Sequence, residues 1–472
     1  MMVREYIIRL LGLKETDLSP QKLSLLDDFA QQETNQSLFD QIKQAQQNIM
    51  NNWRLQSRIQ DIQNLSIKIP NAKVGVPFHA VINRSDYDLN DVATLQLEGI
   101  TAVGLTYDPE TGTLSGVPQE AGNFVLKLCF RLSDEPSSQP LHEKKIDFIV
   151  NPDPKSLWKS IPSNPDAPFW KPDTASDSAS LGDKHIVVAS KRGRSHANVG
   201  SFRDDDYSFG DIGQTGWALA AVADGAGSAT LSRRGSLVAT ESLKKFFLNV
   251  PADTWQALED AVRAALVAAP VTLEDAKTAS PDLVQNAFGL LETAVKHVFI
   301  SLETEAKLNN NNLSDYHTTL SFVLFKNTGA GYVILSFGVG DCPIGVIDTQ
   351  FNVTLLNKLD VGEYGGGTRF VTMPDIFQSG SWRGRFRVHQ VAELEYLILM
   401  TDGIYDPKFE VEANLEKNSV WKIFIDDLHG ENNTGDKVYF DPENAQAGEQ
   451  LLAWMDFWSQ GNHDDRTLAV IF

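Results

Sequence analysis

The feature that most restricts the fold of this chain is a pair of apolar runs joined by a very short segment. Residues 318–325 (TTLSFVLF) and 332–340 (YVILSFGVG) are rich in aromatic and β-branched residues, and only KNTGAG separates them. Two strands with so short a connection pair antiparallel, because parallel strands need a crossover of a dozen or more residues. The pattern therefore predicts a β-hairpin and argues against a doubly wound parallel sheet.

Further strand-like runs and helical segments surround this hairpin. The runs HIVVAS, WALAAVA, YLILM and RTLAVIF are typical of buried strands, while residues 228–250, 252–269 and 281–308 have the pattern of long helices. Strands and helices alternate in this way from His185 to the end of the sequence. We therefore predict one large α/β domain over residues 183–472.

The N-terminal part of the chain has a different character. Apolar residues recur with a helical period between residues 21 and 65, which favours a helical cap on the next domain over a separate partner-binding coiled coil. Short β-type runs follow, and YDPETGTLSGVPQEAGNFVLKLCF resembles bacterial immunoglobulin-like (cadherin-like) β-sandwich modules. Repeated prolines then indicate a linker or an extended strap, which Trp158, Phe169 and Trp170 are able to pin to a neighbouring surface. We expect a form beginning near Asp183 to fold and remain active. The predicted division is a helical N-terminal segment (1–65), an Ig-like β-sandwich (66–150), a proline-rich linker (151–182) and the α/β domain (183–472).

Composition excludes several classes of function. Among 472 residues, 41 Lys and Arg stand against 62 Asp and Glu, which gives a formal net charge of -21. Without a segregated basic patch, such a chain repels phosphate backbones, so we expect no nucleic-acid partner. No apolar run approaches the ~20 residues of a membrane span, and two cysteines are too few for a disulfide framework. We therefore expect a cytoplasmic protein with no membrane association.

Aspartates beside glycine or another acid lie at the ends of the strand-like runs of the α/β domain. A lone Asp-Gly pair is usually a turn, but five such sites in order, each next to an apolar strand, indicate a cluster. Carboxylates held together repel one another unless cations neutralise them. Hard oxygen ligands suit Mg²⁺ or Mn²⁺, and two such ions can activate a shared water for attack on a phosphoester. The sites are RDDDY (Asp204, Asp205, Asp206), ADGAGS (Asp224), VGDCP (Asp341), TDGIYD (Asp402, Asp406) and HDDRT (Asp464, Asp465).

In order and wording these motifs resemble the type 2C (metal-dependent, PPM) serine/threonine protein phosphatases, over about residues 184–472. AAVADGAGS is similar to the family motif ADGhGG, RDDDYSF to NEDS, HTTLSFVLF to GTTa, FGVGDCPIGVI to GDSr, ILMTDGIYD to SDGlwD and HDDRTLAVIF to the closing DNiTvvvv strand. The resemblance implies an antiparallel β-sandwich flanked by helices, with two or three Mn²⁺ or Mg²⁺ ions. The metal ligands that it implies are Asp205, Asp206, Asp224, the Gly225 carbonyl, Asp341, Asp402 and Asp464.

The chain departs from this family where a candidate acid for the leaving alkoxide is expected. Ala226 stands at the histidine position of ADGhGG, and the usual arginine before NEDS is not at its usual spacing. The segment GRSHANVGSFRDDD is more similar to a bacterial subgroup with a G-x-S-H signature. Arg194, His196 and Arg203 are therefore candidates for binding phosphate or donating a proton, with solvated surface charge as the alternative for each. His196 is the first candidate acid and His463 the second.

Rival phosphatase and hydrolase chemistries lack their motifs. Neither Cys129 nor Cys342 begins a Cys-x5-Arg loop, and the sequence contains no P-loop, zinc-protease or nucleophile-elbow motif. We therefore predict a cytoplasmic, Mn²⁺- or Mg²⁺-dependent signalling enzyme that hydrolyses phosphoserine and phosphothreonine in proteins and opposes a serine/threonine kinase. The alternatives are a catalytically weak phosphatase-fold regulator and an Ig-like binding module that recognises a partner protein.

Overall fold

The chain folds into two compact units, Met1–Leu157 and Trp158–Phe472. The computed structural model describes residues 2–153, 156, 158–268, 280–360, 367–378, 382–459 and 461–472. Within these residues, every helix is too short or too polar to cross a bilayer. The two units are described separately.

The first unit combines three helices with two small sheets. The strands form a four-stranded sheet, in the order β1-β7-β6-β3, and a three-stranded sheet, in the order β2-β5-β4. One apolar core serves both sheets, with Phe130 and Phe148 from the first and Leu105 and Leu114 from the second. This shared core fits a β-sandwich, and the Ig-like assignment stays a prediction. The elements are α1 (Val3–Leu10), α2 (Pro20–Gln31), α3 (Glu33–Asn64), β1 (Ala72–Lys73), β2 (Phe78–Val81), β3 (Val92–Glu98), β4 (Leu105–Asp108), β5 (Thr113–Gly116), β6 (Gly122–Leu132) and β7 (His142–Asn151).

The second unit consists of two sheets with helices on their outer faces. One sheet has the order β10-β11-β12-β13-β16 and the other the order β15-β14-β17-β18-β9-β8. The strands are β8 (Thr174–Leu181), β9 (Lys184–Lys191), β10 (Asp206–Asp211), β11 (Ala218–Ala223), β12 (Leu320–Asn327), β13 (Tyr332–Val339), β14 (Ile344–Ile347), β15 (Val353–Leu355), β16 (Phe386–Val391), β17 (Tyr396–Met400) and β18 (Arg466–Ile471). The helices are α4 (Arg194–Val199), α5 (Ser232–Leu248), α6 (Ala252–Ala268), α7 (Pro281–Leu308), α8 (Asp402–Phe409), α9 (Asn418–Leu428) and α10 (Ala447–Trp454).

The alternation of side chains along β11 explains how the layers form. Ala218, Ala220 and Val222 pack between the two sheets, while Leu219 and Ala221 face the layer of α5, α6 and α7. Successive residues of a strand point to opposite faces, so a strand covered on both sides is apolar throughout. Helices α8, α9 and α10 cover the outer face of the second sheet in the same way. The hairpin prediction is confirmed, because β12 and β13 pair antiparallel up to Asn327 opposite Tyr332.

The second half of the stretch predicted as a linker or extended strap, 151–182, contains a strand. Thr174–Leu181 forms β8, which pairs antiparallel with β9 from Thr174 opposite Lys191 to Leu181 opposite Lys184. This strand lies at the edge of its sheet, where a sequence of serine, aspartate and alanine is tolerated. Because it is polar, it lacks the apolar pattern from which a buried strand is predicted. Residues 154, 155 and 157 of the predicted linker lie outside the described residues, as does residue 269 at the end of a predicted helix.

Candidate active site

The strand-end aspartates come together because the two sheets present the corresponding strand ends at one end of the unit. Asp224 follows β11 and Asp341 lies just beyond β13, and both of these ends adjoin the beginning of β12. In the other sheet, Asp402 begins α8 directly after β17, and Asp464 lies just before β18. Four aspartates that are far apart in sequence are thereby gathered into one cluster.

The carboxylates of this cluster raise the pKa of their neighbours. Burial raises the pKa of Asp224 well above its ordinary value, and the negative charges of Asp402, Asp205, Asp464 and Asp341 raise it further. Burial followed by the charges of Asp464, Asp341 and Asp205 raises the pKa of Asp402 in the same way. Like charges held together in a partly desolvated place are costly unless a cation neutralises them.

Two carboxylates of the cluster lack protein donors. Oδ1 of Asp402 is buried without a hydrogen-bond partner, and no described group donates a hydrogen bond to either carboxylate oxygen of Asp224. Oδ2 of Asp205 accepts hydrogen bonds from the hydroxyls of Thr401 and Thr467, both at 2.8 Å, and its Oδ1 has no donor among the described residues. Oxygen donors left free in this way fit a hard divalent cation such as Mg²⁺ or Mn²⁺.

The turn that carries Asp224 is fixed by its backbone. Its N–H donates to Oγ1 of Thr319 at 2.9 Å, and its carbonyl accepts from Oγ1 of Thr318 at 2.8 Å. The next residue, Gly225, packs so tightly that a Cβ there would lie 2.6 Å from the carbonyl oxygen of Asp204. The two threonines of the HTTLSF strand and this glycine therefore hold the first aspartate in place.

Asp341 occupies the side of the cluster nearest Cys342. Ligand atoms of Asp224, Asp341 and Cys342 all lie within 4.8 Å of one another. Oδ2 of Asp341 accepts a hydrogen bond from Thr368 at 2.8 Å, and burial raises the pKa of this carboxyl. A contribution of Asp341 to a further cation stays a prediction.

The prediction of Asp206 as a metal ligand is not supported by its contacts. Its Oδ2 accepts a hydrogen bond from Nζ of Lys171 at 2.9 Å, and its Oδ1 accepts from the N–H of Tyr207. Asp206 opens β10, where side chains alternate between faces, so its carboxylate is directed differently from that of Asp205. A run of three acids in the sequence gives no means of telling which one faces away.

His196 lies among three carboxylates. Its Nδ1 is 3.0 Å from Oδ1 of Asp465, and its Nε2 is 3.8 Å from Oδ1 of Asp464 and 4.0 Å from Oδ2 of Asp204. Burial alone would lower the pKa of His196, but Asp465, and then Asp204 and Asp464, raise it to about 10. The imidazole is therefore protonated at neutral pH in the metal-free protein.

The residues around His196 explain the G-x-S-H pattern. The N–H of Gly193 donates to Oδ1 of Asp465 at 2.6 Å, and a Cβ on this glycine would lie 2.3 Å from the carbonyl carbon of Asp464. Oγ of Ser195 donates to the carbonyl of His463 at 2.8 Å. The glycine permits the close approach and the serine fixes it, which together bring His196 to the cluster.

The other predicted catalytic residues have structural partners. Arg203 is 3% exposed, and it donates to the carbonyls of Pro172 and Asp205. Arg194 donates to the carbonyls of Asp456 and Phe457 at 2.7 and 3.0 Å. Both guanidinium groups donate to backbone carbonyls of this unit, and phosphate binding by Arg194 and Arg203 stays a prediction.

His463, the second candidate acid, and Ala226, at the histidine position of the family motif, also bear on the proton donor. The ring of His463 lies between those of Trp158 and Trp458, at centroid distances of 4.5 and 4.9 Å, and burial lowers its pKa. Ala226 is buried and donates its N–H to the carbonyl of His317. The packing of His463 between two indoles makes it a weaker candidate acid than His196.

Three residues at the site were missed by the sequence analysis as functional residues. In the sequence, Asp465 and Asp204 stand out only as members of acidic runs. Their neighbourhood with His196 depends on contacts between distant segments, which a single sequence does not reveal. Lys171 stands in a proline-rich stretch that carries no pattern of any active site.

The chain is similar to one family model and to several solved phosphatase structures. Residues 192–445 match the family model of protein phosphatase 2C, and no curated protein matches the chain. Similar solved structures include a bacterial serine phosphatase, with 16% identity, a TM-score of 0.35 and coverage of 61% of this chain and 96% of that chain. The serine/threonine phosphatase Stp1 from Staphylococcus aureus has 15% identity, a TM-score of 0.34 and coverage of 62% and 95%. The catalytic domain of the serine threonine protein phosphatase PstP, in complex with two manganese ions, has 14% identity, a TM-score of 0.30 and coverage of 61% and 96%.

These structural likenesses are too distant to carry an argument of their own. The family model is independent of them, and it spans more than half of the chain, from the end of β9 to the segment before α10. The matched residues include the turns of Asp224, Asp341 and Asp402. The chain therefore belongs to the protein phosphatase 2C family.

Proposed function

We propose that this protein is a metal-dependent phosphatase that removes phosphate from phosphoserine and phosphothreonine in proteins. The observation that carries the proposal is the cluster of Asp224, Asp402 and Asp464, in which the charges of Asp402 and Asp464 raise the pKa of Asp224 and the charge of Asp464 raises that of Asp402. Oδ1 of Asp402 is buried in it without a partner. A cluster of this kind is stable at neutral pH when cations occupy it.

The residues that would hold Mn²⁺ or Mg²⁺ are Asp224, Asp402, Asp464, Asp205 and the carbonyl of Gly225, and Asp341 is available to a third ion. Bound there, the ions would neutralise the phosphate and lower the pKa of a water molecule. Thr318 and Thr319 fix the backbone of Asp224, and Thr401 and Thr467 fix Asp205. These hydroxyls therefore hold the backbone of Asp224 and the carboxylate of Asp205 in place before any ion binds.

His196 is proposed as the proton donor in place of the histidine that the family has at Ala226. When the oxygen of water bonds to phosphorus, the bond between phosphorus and the serine or threonine oxygen breaks. That oxygen leaves as an alkoxide and takes the proton held at Nε2. Asp465, on the other side of the ring, keeps the imidazole charged and oriented. An alkoxide is a poor leaving group, so this proton matters for a phosphoprotein substrate.

The proposed substrate is a phosphorylated protein whose phosphate is added by a serine/threonine kinase. The competing interpretation, a phosphatase-fold regulator without activity, is favoured only by the loss of the histidine at Ala226. The arrangement of His196 and Asp465 supplies a replacement for that residue. An assay for turnover therefore separates the two interpretations.

The experiment measures hydrolysis of an aryl phosphate and of a phosphothreonine peptide with Mn²⁺ and with a chelator. We expect both substrates to be hydrolysed with Mn²⁺ and neither with the chelator. We expect Asp224→Asn to abolish hydrolysis while the protein stays folded. Asp253→Asn, at an exposed position in the first turn of α6, is the matched control. Metal-independent turnover, or wild-type turnover by Asp224→Asn, would contradict the proposal.

A further inference from the structure

Residues 158–173, here called the strap, precede the segment that matches the protein phosphatase 2C family. The strap runs along the elements that carry the site. The N–H of Ile161 donates to the carbonyl of Ala197 in α4 at 2.8 Å, and the ring of Trp158 stacks on that of His463. Asp173 forms an ion pair with Arg192 at 3.0 Å. The strap is therefore fixed to the same unit as the aspartate cluster.

Lys171 is the residue through which the strap reaches the acidic run. Its side chain is buried, and Nζ donates to the carbonyl of Asp205 at 2.6 Å and to Oδ2 of Asp206 at 2.9 Å. The hydroxyl of Ser236 lies at 3.4 Å from the same nitrogen. All three contacts lie in the second unit, and two of them are with the acidic run.

A buried ammonium group is costly, and it is retained only where its charge and its three donors are used. Here it compensates the charge of Asp206 and binds the peptide that carries Asp205. The carbonyl of Asp205 accepts a second hydrogen bond from Arg203, and the carbonyl of Asp204 accepts one from Ser236. The backbone of the acidic run is thus held by three side chains, those of Lys171, Arg203 and Ser236.

We propose that Lys171 is a positioning residue for the metal site, and that the strap is a working part of the catalytic unit. Lys171 acts through Asp205, because it binds the carbonyl of the residue whose carboxylate belongs to the cluster with Asp224 and Asp402. It also binds the carboxylate of Asp206 and so keeps it away from the cations. The expected effect on turnover rests on the proposed function, whereas the expected effect on the backbone of residues 202–208 does not. Partners that orient metal ligands from the second layer typically change metal affinity by ~10–100-fold.

The test compares full-length wild type, Lys171→Met, the double variant Lys171→Met/Asp206→Asn, and Lys307→Met. Lys307 pairs with Glu303 on the surface of α7 and serves as the matched control. Four measurements are made: the Mn²⁺ dissociation constant by calorimetry, steady-state kinetics (kcat and KM) on an aryl phosphate, amide hydrogen exchange in residues 202–208, and the midpoint of thermal unfolding. Exchange requires neither metal nor turnover, so it also decides the matter if the proposed function fails.

We expect Lys171→Met to weaken Mn²⁺ binding about tenfold, to lower kcat more than it raises KM, and to speed exchange in residues 202–208. The double variant removes the unpaired charge at Asp206, so it should recover thermal stability but not Mn²⁺ affinity. Recovery of Mn²⁺ affinity in the double variant would reduce Lys171 to a counter-ion and overturn the proposal. Wild-type exchange and wild-type Mn²⁺ affinity in a folded Lys171→Met would overturn it as well.

Discussion

His196 forms an ion pair with the buried Asp465, with Nδ1 of the imidazole 3.0 Å from Oδ1 of the carboxylate. The same carboxylate accepts hydrogen bonds from the N–H groups of Gly193 and Asp204. Burial would raise the pKa of Asp465, but His196 and these N–H groups lower it. One carboxylate thereby joins three segments of the chain and keeps the candidate acid charged.

The first prediction concerns the proton that His196 holds. We expect His196→Ala to lower kcat on a phosphothreonine peptide by ~10²–10⁴-fold and to affect an aryl phosphate much less, because a phenolate leaves without a proton. His79→Ala, at an exposed position in the first unit, is the control. Equal losses on the two substrates, or no loss on the peptide, would show that His196 is not the acid.

A second prediction follows from the charge of the same histidine. The pKa of His196 rises from 6.5 to about 10 on folding, so its stabilising effect on the metal-free protein is complete below pH 6.5 and is lost as the pH rises to about 10. The difference in thermal midpoint between wild type and His196→Asn, measured with a chelator present, should therefore shrink across this range. A difference that stays constant or grows with pH would contradict the ion pair.

A third prediction tests the close packing at Asp402. A Cβ on Gly403 would lie 1.9 Å from the carbonyl oxygen of Asp465, and backbone cannot yield as a flexible side chain does. We expect Gly403→Ala to lower the free energy of unfolding by at least ~1–3 kcal/mol. Gly289→Ala in α7, where a Cβ meets nothing within 4 Å, should be neutral or stabilising by up to ~1 kcal/mol. Urea unfolding of both variants measures this; equal stabilities would contradict the packing.

The sequence was sufficient for those parts of the site that have a local pattern. Asp224, Asp402 and Asp464 stand beside apolar strands, and the two sheets present these strand ends at one end of the unit. The β12–β13 hairpin was predictable for the same reason, since the length of its loop decides the pairing.

The residues that could not be predicted depend on contacts between distant segments. The pairing of Lys171 with Asp206 joins a proline-rich stretch to an acidic run, and neither segment has a pattern that implies the other. Charge and position predict that Arg194 and Arg203 bind phosphate or donate a proton, and the structure shows that backbone carbonyls accept hydrogen bonds from both. Burial and partners decide the role of an arginine, and neither is visible in one sequence.

A fourth prediction corrects the domain boundary expected from the sequence. A form that begins at residue 183 lacks both the strap and β8, which leaves β9 as an open edge and Asp206 without Lys171. We expect it to aggregate or to unfold at a markedly lower temperature than a form that begins at residue 158. Size-exclusion chromatography and thermal unfolding compare the two forms; equal stability and equal activity would restore the boundary near Asp183.

The most direct test of the account is the position of Mn²⁺ in crystals of the full-length protein. Anomalous scattering at the manganese edge should give at least two peaks, each ~2.0–2.2 Å from carboxylate oxygens of Asp224, Asp402 or Asp464, as hard divalent cations require. Asp206 should remain bound to Lys171 in the same crystals. Peaks elsewhere, or none at saturating Mn²⁺, would contradict the claim that this cluster is a metal centre.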